Sequence, residues 1–117
     1  MSDVRTVTQD ELFRKLRQVQ VVNVLEPEWY ALGLIPGSKT IPLAELDRRL
    51  GELDKSVEVV TYCASRQCTA SSEAARKLAA KGYAASAYEG GIKEWVAAGL
   101  PVEAGRAVVA ARSSCRG

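Results

Sequence analysis

Two short runs of the chain are apolar at nearly every position, VQVVNVL at 19–25 and VEVVTY at 57–62. A strand exposed on one face alternates, whereas one covered on both faces reads as a continuous aliphatic stretch, so both runs predict buried strands of a parallel sheet. Elsewhere the period changes. Thr8 and Glu11 stand at capping-box spacing and open a helix expected through about Gln18, with Leu12, Phe13 and Leu16 on one face. Leu43, Leu46 and Leu50 mark a short amphipathic helix. Residues 71–81 predict a longer helix with Ala74, Ala75, Leu78 and Ala79 inward, Ser71 and Ser72 capping its start and Gly82 stopping it. A last helix carries Ile92, Trp95 and Val96 on one face and ends at Gly99 and Pro101. VRTV (4–7), as a short edge strand, and YAASAY (83–88) are weaker strand patterns, with AVVA (107–110) weaker still. Residues 26–43, punctuated by Pro27, Pro36, Gly37 and Pro42, read as a long connection with one helical turn at 27–31.

Strands alternating with helices imply the α/β class: a central, mostly parallel sheet of about five strands, helices on both faces and right-handed crossovers. Ligands of such sheets collect beyond the carboxyl ends of the strands. With 117 residues, 47% of them hydrophobic and 26% charged, one domain with its own core is expected. The expected division is a domain at 1–104 and a small-residue tail at 105–117. The tail changes the meaning of the formal charge of +2, because Arg106, Arg112 and Arg116 supply it; residues 1–104 hold 13 basic against 14 acidic side chains. No basic face is evident and no nucleic-acid partner is expected. No run approaches the roughly 20 apolar residues of a membrane span, and MSDVRTVTQDEL lacks a signal peptide's basic-then-apolar order, so a cytoplasmic protein without a membrane partner is expected. Three cysteines, an odd number without framework spacing, point to reduced thiols.

None of the residues is histidine. That excludes Ser-His-Asp and Cys-His catalysis and leaves no ligand set for a structural zinc, so neither metal nor cofactor is expected. Cys63 is the first residue after the second buried strand, at the position where such folds act. From Cys63 to about Ala70 the chain turns into a helix whose amides at 71–74 have no intrahelical acceptor. A compact turn there aims N–H groups at one point, and the helix dipole adds positive potential; a thiolate so placed has its pKa lowered from about 8.5. Arg66 adds charge and a grip for an anion, while the small Ala64, Ser65 and Ala70 leave space. The competing reading is that Cys63 is a small buried hydrophobe at a strand end. Gly90 and Gly91 suit a tight strand-to-helix turn, Trp95 the core, and Trp29 and Tyr30 the wall of the site's mouth.

The residues now resemble a family. GLIPGSKTIPLAEL (33–46), VVTYCASRQCTASSEAARKLAAKGY (59–83) and YEGGIKEWVAAGLPVE (88–103) are similar, in order, to three conserved-pattern segments of single-domain rhodaneses, which are sulfurtransferases. The resemblance implies a rhodanese-like fold in which Cys63 accepts a sulfane sulfur and becomes a persulfide. It implies that Ala64, Ser65, Arg66, Gln67, Cys68, Thr69 and Ala70 form the substrate-binding loop, with Arg66 steering an anionic donor. The implied partners are a small sulfur-containing anion such as thiosulfate, a thiol or cyanide acceptor, and a protein sulfur donor or acceptor. The departures are Leu34 where histidine is usual, Asn23 and Leu25 where the family has Asp-x-Arg, and a loop that reads as slightly longer. Phosphatases and arsenate reductases of the same fold need an arginine six residues after the cysteine; that position is Thr69. Cys68 is either a resolving thiol for Cys63 or part of the pocket lining, and Cys115 an exposed bystander. Two alternatives stand beside the sulfurtransferase: a catalytically idle binding or regulatory module, and a Cys63/Cys68 thiol redox protein.

Overall fold

The computed structural model describes residues 5–24, 33–64 and 69–102, and at its centre lies a sheet whose strands all run parallel. The strands are β1 (Arg5–Thr6), β2 (Gln20–Asn23), β3 (Lys39–Thr40), β4 (Val59–Tyr62) and β5 (Ala85–Tyr88), in the order β1-β5-β4-β2-β3. The two continuous apolar runs become β2 and β4, which pair side by side with Val21 opposite Val60 and Asn23 opposite Tyr62. All four residues of β4 are buried, as a strand sandwiched between two helical layers requires.

Handedness decides which helix covers which face. The connection from β1 to β2 crosses the sheet in one direction, and those from β3 to β4 and from β4 to β5 cross in the other. Right-handed crossovers therefore put α1 (Gln9–Arg14) on one face and α2 (Ala70–Ala80) on the opposite one. The 3₁₀ segment Leu43–Arg48 packs beside α2, as the same rule demands. The last helix, α3 (Gly91–Ala97), joins α1: Phe13 meets Trp95 edge-on with ring centroids 6.0 Å apart, and Gln9 Nε2 donates to the Glu94 carbonyl at 3.0 Å. Among the described residues, no helix is long and apolar enough to cross a membrane.

Several expectations change in detail. The first helix is α-helical only to Arg14 and tightens into a 3₁₀ turn at Leu16–Gln18, and the leucine-marked helix is likewise 3₁₀, at Leu43–Arg48 and Leu50–Glu52. Leu12 is fully buried, but Phe13 stays 44% exposed because it covers the edge of Trp95 instead of entering the core. Val96, one position on from the buried Trp95, is turned 40% to solvent, and Ala79 is exposed. Strand β3 was not anticipated; two residues, one of them an exposed lysine, carry no periodic signal. Ser71 and Ser72 do not cap α2: its N-cap is Thr69, without a side-chain cap bond, and Ser71 is buried inside the first turn. The predicted turn at 27–31, with Trp29 and Tyr30, and the tail at 105–117 lie outside the described residues.

The capping box at the start of α1 is complete. Thr8 Oγ1 accepts from the Glu11 amide at 3.1 Å, and the Glu11 carboxylate accepts from the Thr8 amide at 2.9 Å. That backbone bond, above all, holds the Glu11 carboxyl below its ordinary range. A carboxyl with a depressed folded-state pKa stabilises the fold above its unfolded value, and the gain is lost as pH falls through the folded one. Thr8→Ala is expected to cost about 1 kcal/mol in urea denaturation. Glu11→Gln should weaken the protein at neutral pH and leave its stability near wild type once Glu11 is protonated; an equal loss at both pH values would contradict this.

Candidate active site

Where β4 stops, Cys63 begins. The residue is a thiol, 2% exposed, at the carboxyl end of a strand flanked on both sides by β2 and β5. Its carbonyl has left the strand ladder and accepts from the Ile92 amide at 2.9 Å, and the Ala64 carbonyl accepts from the Lys93 amide at 3.0 Å. Ile92 and Lys93 sit in the first turn of α3, where amides have no acceptor within their own helix. Two sets of orphan groups therefore satisfy one another and fix the direction in which the chain leaves β4.

The glycines make this approach feasible. Gly91 adopts φ +74°, a conformation that costs other residues dearly. A Cβ on Gly90 would stand 2.6 Å from Glu94 Oε1 and 3.0 Å from Tyr88 Cε1, so no side chain fits without displacement. Their expected role in a tight strand-to-helix turn is the observed one.

On the other side of β4, Thr61 Oγ1 donates to the Ser71 carbonyl at 2.7 Å, tying the strand to the first turn of α2. The first backbone bond of that helix runs from the Glu73 amide to the Thr69 carbonyl at 3.0 Å. The amides without intrahelical acceptors are thus those of residues 70–72, earlier than the expected 71–74. Ser72 Oγ donates to Glu89 Oε2 at 3.1 Å, and exposed Thr69 donates to Glu73 Oε2 at 3.4 Å. Cys63 and Ala64 thus stand at one end of the predicted loop, Thr69 and Ala70 at the other. Ser65, Arg66, Gln67 and Cys68 lie outside the described residues, as does Cys115. No cluster of potential metal ligands occurs among the described residues.

Two neighbours support the site strand. Asn23, fully buried beside Tyr62, donates from Nδ2 to Thr40 Oγ1 at 3.1 Å, and its carbonyl accepts from the Ile41 amide at 2.9 Å. A neutral hydrogen bond therefore occupies the place where the family pattern puts an ionised aspartate; Leu25 lies outside the described residues. Tyr62 was not foreseen. Its buried hydroxyl accepts from the Ile35 amide at 3.0 Å and shares a hydrogen bond with Ser38 Oγ at 3.1 Å, anchoring the IPGS turn to the site strand. The only hint in the sequence is a tyrosine closing a run of valines, which names no partner.

A rhodanese-like domain model matches residues 8–98, and the chain belongs to that family. It is 30% identical over 105 residues to a sulfurtransferase of Allochromatium vinosum, covering 86% of this chain and 96% of that protein. It is 38% identical over 104 residues to an HTH-type transcriptional regulator of Mycobacterium tuberculosis, covering 87% of this chain but 46% of the regulator, so the chain spans under half of that relative's length. A solved rhodanese-like domain protein of Staphylococcus aureus superimposes with a TM-score of 0.73 at 32% identity, over 86% of this chain and 100% of that one.

Tyr62→Phe deprives the buried Ile35 amide of this acceptor and is expected to destabilise the protein by about 1–3 kcal/mol. An unchanged urea midpoint would show that the IPGS turn is held by other means.

Proposed function

We propose that the protein is a sulfurtransferase that carries a sulfane sulfur as a persulfide on Cys63. The observation that carries this reading is the location of that residue: the carboxyl end of the central strand, gripped through its own carbonyl by α3 and six residues ahead of Thr69, the N-cap of α2. With no histidine in the chain, main-chain donors of residues 64–70 and the N-terminal end of α2 are the groups that would keep the sulfur anionic. Arg66 would meet the anionic end of the donor with its planar fork.

The transfer occurs in two displacements. The Cys63 thiolate attacks the outer sulfur of thiosulfate, the sulfur–sulfur bond of the donor breaks, and sulfite leaves with the bonding pair. Cys63 then bears a persulfide, with the negative charge on its terminal sulfur. An acceptor thiolate or cyanide attacks that terminal sulfur, and Cys63 departs as the thiolate that began the cycle. A protein persulfide serves as donor by the same electron flow, with a thiolate as the leaving group.

A second reading, a non-catalytic module, is favoured by one feature: neutral Asn23 in place of a charged residue beside the site strand. Incubation with thiosulfate, followed by intact mass and cyanolysable sulfur, separates the two. The wild type is expected to gain one sulfur atom, Cys63→Ser none, and Cys68→Ser one if that thiol only lines the pocket. A wild type that takes sulfur from neither thiosulfate nor a protein persulfide would establish the binding module instead.

A further inference from the structure

A cleft of about 730 Å³ is walled by Phe13, Leu16, Pro36 and Pro101, with Arg14 and Arg17 as its charged residues. Leu16 and Arg17 belong to the turn that leads into β2, and Pro36 to the turn that leads towards β3. Its apolar wall is fixed before anything binds. Trp95 is fully buried, its Nε1 donates to the Pro101 carbonyl at 2.7 Å, and Phe13 rests edge-on against the indole. The large apolar side chains that stay exposed among the described residues are Phe13, Val96 and Val102, carried by α1, by α3 and by the segment leaving α3. Of these, Phe13 lines the cleft, and an apolar concave site that leaves a large side chain exposed marks an interaction surface.

Charge selects the occupant. Arg17 forms no ion pair among the described residues, and Arg14 shares an exposed bridge with Asp10, a pairing that an incoming carboxylate can replace at little cost. A second copy seated with the cleft on a two-fold axis would press these arginines against their own counterparts. The chain's own residues 103–117 bring Arg106, Arg112 and Arg116 against a lone Glu103, the wrong sign for the cleft. We propose that the cleft docks a polypeptide segment of a partner that sets a large apolar side chain beside a carboxylate. The apolar group covers Phe13 and the two prolines, and the carboxylate pairs with Arg14 and Arg17. No lining residue of the cleft belongs to the segment that carries Cys63, and the proposal stands independently of sulfur transfer.

A fluorescein-labelled synthetic peptide alternating glutamate with leucine and phenylalanine tests this by anisotropy against the full chain at low and physiological salt. Saturable binding that weakens as salt rises is expected, together with a loss of roughly tenfold or more in the double variant Arg14→Glu/Arg17→Glu. A peptide with lysine in place of glutamate should not bind. Both arginines are exposed, and a thermal melt verifies that the variant folds. If it does not, Arg17→Ala alone should still weaken the acidic peptide several-fold. Equal binding of both peptides, no effect of either variant, or no binding up to about 1 mM peptide overturns the proposal. So does a dimer in sedimentation that dissociates on Phe13→Ser.

Discussion

A buried carbonyl without a partner is expensive, and the end of β4 creates two of them. Cys63 and Ala64 leave the ladder still inside the protein, where their oxygens need donors. Helix α3 begins with amides that need acceptors, and the two requirements are met by the same pair of bonds, at 2.9 and 3.0 Å. The placement of Cys63 and the close turn through Gly90 and Gly91 follow from that exchange. Thr61 on Ser71 and Tyr62 on Ile35 brace the same strand from other sides. The geometry around Cys63 is thus held by main-chain and strand-borne groups.

The chain's lack of histidine shapes the chemistry proposed for it. A cysteine without an imidazole must draw its reactivity from dipoles and guanidinium charge, which suits an attack on an already weak sulfur–sulfur bond better than proton-coupled acyl transfer. Family membership and the likeness to a sulfurtransferase agree with that reading, and the likeness to a much longer regulator shows that such domains also occur within larger polypeptides. The cleft walled by Phe13, Leu16, Pro36 and Pro101 shares no lining residue with the Cys63 segment, so the proposed docking and the proposed chemistry draw on different residues.

Some of this architecture is local in origin and was legible from residue order alone. Continuous valines announced β2 and β4, the Thr8–Glu11 pair announced α1, and Cys63 stood at a strand end before any coordinate was known. These signals are legible because burial on both faces, capping and strand termination each act over a few neighbouring residues. Tertiary structure decided the rest. Nothing in the order of residues states that β4 lies between β2 and β5, that Lys39–Thr40 is recruited as an edge strand, or that the Tyr62 hydroxyl finds Ile35. The sequence pattern put Phe13 and Val96 inward and Ser71 at a cap, yet Phe13 packs edge-on against Trp95, and α2 begins at Ala70, which places Ser71 inside its first turn. Those outcomes depend on which distant segments meet, and a hydrogen bond or ring contact between residues tens of positions apart leaves no trace in the local pattern that either partner sits in.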